Sequence, residues 1–250
     1  MLSDMTYDRF LIGWTLLAAV VFFALMYIQA PYGRFSRPGW GPCLSSRLSW
    51  LVMESPAVIV VTWLFITGWN GTATALVFFL LWSGHYVYRS VIYPWQLRSS
   101  HRVPVTVTAF GWCFNVVNAY LQAAYLFHLR TYPASWLWQP RFTLGLTLFV
   151  LGFAAHVHSD TILRSIRQNA GTGYSVPRGG LFRWLSCPNY FGELVEWVGW
   201  AMLTWSWPGL VFAAWTAANL IPRAVASHRW YRTTFAEYPH ERRAVIPWVL

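Results

Sequence analysis

Side chains able to do acid–base chemistry are scarce in this chain of 250 residues, which carries only eight carboxylates. Four of them, Glu54, Asp160, Glu193 and Glu196, stand in or against long apolar runs. An ionisable group is expensive in such surroundings and marks a functional position by default. Glu54 lies in the segment LVMESPAV. A carboxyl buried there is expected to stay protonated and to act as a hydrogen-bond donor rather than a charge. Tyr86, in SGHYVYRS, offers a second O–H donor one or two helices away. Two acidic donors facing a dry cavity can stabilise the oxygen of an enolate. The alternative is a carboxyl that bonds a neighbouring helix and braces the kink imposed by Pro56.

The segment AAHVHSDTILRSIR sets Asp160, Arg164 and Arg167 at i, i+4 and i+7, on one stripe of a helix. A salt bridge at a helix end fits this spacing, and so does a polar, cationic strip for a phosphate-bearing ligand. His156 and His158 are two residues apart, so they point to different sides of a helix, and no metal site is expected. Farther on, Asn189, Glu193 and Glu196 place three polar groups on one face of an otherwise apolar helix, which argues for a polar ligand. The run PRAVASHRWYRTTFAEYP gathers Arg223, His228, Arg229 and Tyr231 within a few turns. No GxGxxG follows a strand, and no strand is expected, so any nucleotide must be held by helices.

The elements that position these residues belong to a membrane. Hydrophobic residues make up 56% of the chain and charged residues 10%, against about 25% charged in an ordinary globular domain. Eighteen tryptophans suit aromatic belts at two membrane interfaces. Runs near the roughly 20 residues that span a bilayer core occur at about 10–30, 48–68, 72–93, 103–128, 142–158, 189–206 and 208–227. The expected fold is an all-α integral membrane protein, a single domain over 1–250. It is a seven-transmembrane-helix bundle enclosing a cofactor and substrate cavity, with an amphipathic C-terminal tail at 228–250. Only Trp207-Pro208 parts the last two runs, which form a tight hairpin or one broken helix. The first run is too long for a signal-peptide core and no cleavage site follows, so it reads as a retained helix. Cys43, Cys113 and Cys187 are odd in number and scattered, as free thiols are.

The net charge of +10 comes from arginine alone, since the chain has no lysine. The arginines sit between apolar runs rather than in a soluble patch, which excludes nucleic acid as the partner. With seven helices, Arg34, Arg37, Arg47, Arg89, Arg98 and Arg102 fall on one side. Arg164, Arg167, Arg178 and Arg183 join them there, as do Arg223, Arg229, Arg232, Arg242 and Arg243. Only Arg9, Arg130 and Arg141 fall on the other. The positive-inside rule then puts the C-terminus in the cytoplasm and the N-terminus outside.

Several segments, taken together, resemble the steroid 5α-reductase family, near its type 2 branch, across nearly the whole chain. They are Tyr32-Gly33-Arg34, Met53-Glu54-Ser55-Pro56, the HYVYR run ending at Arg89 and HSDTILRSIR. VPRGGLF, PNYFGELVEWVGWA and the ending HRWYRTTFAEYPHERRAVIPWVL are the most specific. The resemblance implies reduction of the Δ4 double bond of a 3-oxosteroid by NADPH, with the cofactor enclosed from the cytosolic side. Glu54 and Tyr86 match the pair that bonds the steroid 3-carbonyl, and Met53, Arg89 and Trp197 fall at substrate-binding positions. Tyr32, Arg34, His156, Asp160, Arg167, Tyr174, Asn189, Glu193, Arg223, His228 and Tyr231 fall at positions that hold NADPH. The implied setting is a monomer among lipid, in a bacterial inner membrane or an endoplasmic reticulum, taking an apolar steroid-like substrate from the bilayer.

The chain departs from that pattern at four places. Met53 stands for a glutamine, His156 for an asparagine, Phe110 for an arginine and Ser227 for a histidine. The C-terminal half also resembles the isoprenylcysteine carboxyl methyltransferases, which use S-adenosylmethionine. Those carry Arg-His-Pro where this chain has Ser186-Cys187-Pro188. That difference, with Glu54 and Tyr86, favours the reductase.

Overall fold

A computed structural model describes residues 4–97, 102–169 and 174–250, so Arg98 lies outside the described residues. The long helices are α1 (Asp4–Tyr27), α2 (Ser46–Thr67), α3 (Ala73–Val87), α5 (Val105–Ala124), α6 (Pro140–Asn169), α7 (Pro188–Thr204) and α8 (Trp207–Thr234). A π-turn, Tyr88–Ile92, joins α3 to the short α4 (Tyr93–Gln96), and a second, Tyr125–Leu129, extends α5.

Among the described residues five helical stretches are long and apolar enough to cross a membrane. They are Met5–Tyr27, Ser46–Thr67, Ala73–Gln96, Pro140–Arg167 and Trp207–Thr234. In the most apolar of them only 11% of the span is buried. Ile12, Leu16, Val20 and Phe23, all of it, are exposed by 61–64%. A row of bare apolar side chains that long is a surface for lipid. The fold is therefore all-α and of membrane type. α5 and α7 fall short because they carry polar residues or too few residues: Asn115, Asn118 and Gln122 lie on α5, and α7 has 17 residues.

Three expectations change at this level. A strand pair does exist: β1 (Cys43–Ser45) runs antiparallel to β2 (Arg102–Pro104), with Leu44 opposite Val103. The stretches leading into α2 and α5 meet there and satisfy each other's backbone groups. Helices α6 and α8 run on to Asn169 and Thr234, past the expected limits of 158 and 227. Hydropathy stops at the first charges, whereas the backbone ladder does not need apolar side chains to continue. The end of the chain is not a separate amphipathic tail. Residues 228–234 complete α8, and the remainder folds back along the entry to α7. There the Arg243 N–H donates to Trp184 O at 2.9 Å and the Cys187 N–H to Ala244 O at 3.0 Å. Ala244 and Val245 are buried with Cys187 and Ala224.

Between α7 and α8 the chain makes a tight turn rather than one broken helix. Trp205 takes a left-handed conformation, φ 45°, that stops α7. Ser206 then caps α8 by accepting from Gly209 N–H at 3.1 Å.

The described chain forms two compact units, one of Met1–Leu11 and Ala30–Thr143, the other of Ile12–Gln29 and Leu144–Leu250. In the first, α2, α3 and α5 surround Ala57, Val61, Phe78, Trp82 and Leu121, all nearly inaccessible. Tyr7 donates to Leu121 O at 2.8 Å and Trp82 Nε1 to Ala57 O at 2.9 Å. Pro56 lies inside α2 and has no N–H for the Val52 carbonyl one turn earlier. The Ser55 hydroxyl donates to that carbonyl at 3.2 Å instead.

In the second unit α6 and α7 touch backbone to backbone. Gly145 lies against Gly199, and Gly152 against Gly192, so the two helices are antiparallel. Small residues at seven-residue spacing on both partners permit such an approach. Trp197, Trp200 and Leu203 fill the space beside the contact, with Phe149 and Phe212 against Trp197.

Candidate active site

The first unit assembles its polar residues at the α2–α3–α5 junction. Glu54 is buried on α2, and Asn115 of α5 donates to its Oε2 at 3.2 Å and to Met53 O at 2.8 Å. Arg89 Nη2 lies 3.9 Å from Glu54 Oε1. The guanidinium is held over the rings of Trp50 and Tyr93, 4.4 and 5.1 Å from their centroids.

Arg89 owes its position to the π-turn. Pro94 has no N–H, and the Tyr93 N–H reaches back five residues to Tyr88 O, which widens the helix where Arg89 leaves it. Tyr86, two residues before that segment begins, is 3% exposed on α3. Its ring packs on Trp82 at 4.8 Å, and Trp82 in turn is bonded to Ala57, one turn beyond Glu54. A carboxyl, a phenol and a guanidinium are thus set into an apolar wall. Met53 lies across Gly111 of α5, where any side chain would collide with it.

The second unit holds the other group. His156 of α6 is 1% exposed. Its Nε2 lies 3.3 Å from Asp160 Oδ2, and its Nδ1 lies 3.7 Å from Glu193 Oε2 and 4.0 Å from Glu196 Oε2. Asn189 Nδ2 donates to Asp160 Oδ1 at 3.0 Å. The Gly152–Gly192 contact explains this convergence, since it brings the polar stripes of α6 and α7 face to face.

On α8, Arg223 Nε donates to Tyr190 OH of α7 at 3.0 Å. Nearer the C-terminus, Ser186 Oγ lies 2.6 Å from His228 Nδ1 and 2.5 Å from Tyr238 OH. Tyr231 stacks on Tyr238 at 5.3 Å, and Tyr174 meets Trp230 edge to face at 5.2 Å.

Comparison with known proteins decides what these groups belong to. A family model described as 3-oxo-5-alpha-steroid 4-dehydrogenase matches residues 101–250. The steroid 5-alpha-reductase of Arabidopsis thaliana is 44% identical, over 90% of this chain and 89% of its own length. That of Gossypium hirsutum is 41% identical over 100% of both chains. The 3-oxo-5-alpha-steroid 4-dehydrogenase 1 of Bos taurus is 35% identical over 94% of this chain and 93% of its own.

The chain belongs to the steroid 5α-reductase family. It is therefore an oxidoreductase, and the methyltransferase alternative falls away. In this family member, residues singled out from sequence gather within each unit. Glu54, Met53 and Arg89 come together, and Tyr86 sits on the adjoining helix. His156, Asp160, Asn189 and Glu193 come together, with Arg223 tied to the same α7 helix.

Trp197 is enclosed among Phe149, Trp200 and Phe212 of the second unit. Arg167 is exposed near the end of α6. His228, Tyr231 and Tyr174 belong to the C-terminal aromatic group. Tyr32 and Arg34 lie in the turn that follows α1, in the first unit.

Sequence reasoning about acids missed Asn115, Ser186 and Tyr238. The signal for Asn115 was present, because Asn115, Asn118 and Gln122 form a polar stripe at i, i+3 and i+7 on an apolar helix. Ser186 and Tyr238 carry no such spacing signal, since they meet across 52 residues of chain.

Proposed function

We propose that this reductase adds a hydride from NADPH to the β-carbon of a conjugated enone in an apolar, steroid-like substrate, with Glu54 and Tyr86 donating to the carbonyl oxygen. The reading is supported above all by the buried Glu54 carboxyl, with Arg89 at 3.9 Å and the Tyr86 phenol on the adjoining helix. A C–H bond forms at the β-carbon, and the electron pair of the double bond moves toward the α-carbon and carbonyl oxygen. One proton completes the α-carbon, leaving the saturated ketone and NADP+. Negative charge grows on the carbonyl oxygen as the hydride arrives, so donors fixed in a dry wall stabilise the transition state more than the ground state. Arg89 adds a cation beside that charge.

The side chains of the second unit suit NADPH by their chemistry. Asp160, Glu193 and Asn189 offer acceptors and donors for ribose hydroxyls and a carboxamide, and Arg167 and Arg223 offer cations for phosphates. NADPH would supply the hydride; the chain binds, orients and excludes water.

The test is the NADPH-dependent loss of enone absorbance by protein purified in detergent, with a 3-oxo-Δ4-steroid as substrate. Glu54→Gln and Tyr86→Phe should each lower turnover by about 10²–10³ while NADPH still binds. Near-normal turnover in both variants would sink the assignment.

The same reading takes α5 and α7 as shorter spans beside the five apolar ones, so that seven helices cross and the arginine-rich side is cytoplasmic. NADPH is cytosolic and too charged to pass hydrocarbon, whereas the substrate can arrive through the bilayer to a monomer. A reporter after Leu250 should then read as cytoplasmic and one before Met1 as external; the same side for both would remove one span.

A further inference from the structure

We infer that Asn115 is a positioning residue that decides which oxygen of Glu54 gives its proton. The inference rests on the reading of Glu54 as a carbonyl donor. Asn115 is 5% exposed, and its Nδ2 reaches Met53 O at 2.8 Å and Glu54 Oε2 at 3.2 Å. The nitrogen and oxygen of an amide exchange places by a half-turn, so their assignment needs a physical ground. Met53 provides it, because a backbone carbonyl only accepts. The group facing Met53 must be the NH₂, and its second N–H then points at Glu54 Oε2.

Oε2 is therefore an acceptor at this contact. A protonated carboxyl has one carbonyl oxygen and one hydroxyl. The carbonyl oxygen is the stronger acceptor of the two, so the fixed N–H favours Oε2 as the carbonyl oxygen and Oε1 as the oxygen that holds the proton. Oε1 is the oxygen that faces Arg89 at 3.9 Å, and Arg89 is itself held over Trp50 and Tyr93. The donor oxygen and the cation that favours developing negative charge thus lie on the same side of Glu54. The bond to Met53 O ties the amide to the backbone of α2 beside Glu54, so the clamp cannot follow the carboxyl if it rotates. Gly111, one turn before Asn115, keeps α5 close enough for that reach by leaving room for Met53.

The test is a double-mutant cycle between Asn115→Asp and Glu54→Gln, measured as kcat and as KM for NADPH. Aspartate keeps the shape but puts a carboxyl oxygen where the NH₂ stood; it carries at most one proton of its own, so it cannot donate to both Met53 O and Oε2 and no longer fixes Oε2 as the acceptor. Asn115→Asp alone should lower kcat by about 10- to 100-fold, with the NADPH KM unchanged. In the Glu54→Gln background the same substitution should cost nothing further, because the two residues act as one device. An equal loss in both backgrounds would mean a merely structural role and would overturn the inference, as would wild-type kcat in Asn115→Asp. Should that variant not fold, Asn115→Leu, similar in size and without a donor, takes its place in the cycle. Full turnover by Glu54→Gln itself would instead overturn the reading of Glu54, so the two failures are distinct.

Discussion

Gly152 of α6 and Gly192 of α7 face each other so closely that a methyl on Gly192 would lie 2.7 Å from the Gly152 carbonyl oxygen. The same methyl would strike the backbone of His156, the residue around which Asp160, Glu193 and Glu196 gather. Backbone cannot give way as a flexible side chain can, so the helices would have to part. Gly192→Ala should destabilise the protein by about 1–3 kcal/mol. Gly13 of α1 has nothing within 4 Å of the same added atom. Gly13→Ala should therefore hold or raise stability, by up to about 1 kcal/mol. Thermal unfolding in detergent compares the two, and equal midpoints for Gly192→Ala and wild type would refute the close contact.

Ser55 and Pro56 form a compensating pair on the helix that carries Glu54. The Ser55 hydroxyl takes the Val52 carbonyl that Pro56 leaves without an N–H. Ser55→Ala should cost about 0.5–1.5 kcal/mol. In a Pro56→Ala background the cost should vanish, because the restored backbone N–H takes the carbonyl. Equal costs in both backgrounds, read from unfolding curves, would show that the hydroxyl has another purpose.

Arg223 is oriented by Tyr190, whose hydroxyl accepts from Nε at 3.0 Å. If its cation meets a phosphate of NADPH, Arg223→Ala should raise the NADPH KM by about 10- to 100-fold. Tyr190→Phe should give a smaller rise, since the charge remains and only its aim is loosened. Arg167→Ala should act in the same direction as Arg223→Ala. Initial rates with NADPH and NADH check the reading, and equal use of both by the wild type would count against it.

Burial pushes the Tyr238 hydroxyl up from its ordinary value of 10.0, against the lowering pull of its bonds to Ser186 and Arg242. Burial does the same to Tyr132. The folded protein thus keeps protons that the unfolded chain has already released. Stability should be intact below about pH 10 and fall as pH rises beyond it, because the unfolded state then binds fewer protons. Tyr238→Phe should flatten part of that fall, and the share due to Tyr132 should persist. Unfolding temperatures at about pH 9 and about pH 11 measure the slope; an increase with pH would reverse the sign and reject it.

The membrane character, the helical class and the residues with chemistry are properties of the chain read in order. Runs of apolar residues between arginines can be satisfied only by helices in lipid, whatever their neighbours do. The rarity of carboxylates made Glu54, Asp160, Glu193 and Glu196 stand out before any contact was known. Local rules also put a break at Trp207-Pro208; it falls two residues earlier, at Trp205-Ser206, because proline is suited to the first turn of a helix and Trp207 and Pro208 open α8.

Tertiary structure decided the rest, because the deciding contacts join residues far apart in the chain. Nothing near Glu54 in sequence says that Asn115, 61 residues on, will bond its Oε2, or that a π-turn will swing Arg89 to its Oε1. The gathering of sequence-marked residues around Glu54 in one unit and around His156 in the other likewise follows from which helices meet within each. That in turn follows from glycines whose spacing becomes meaningful only once two helices lie side by side. The C-terminal segment reads as an amphipathic tail by composition, yet Ala244 and Val245 find an apolar niche beside Cys187. Composition records what a segment could expose, and only packing determines what it buries.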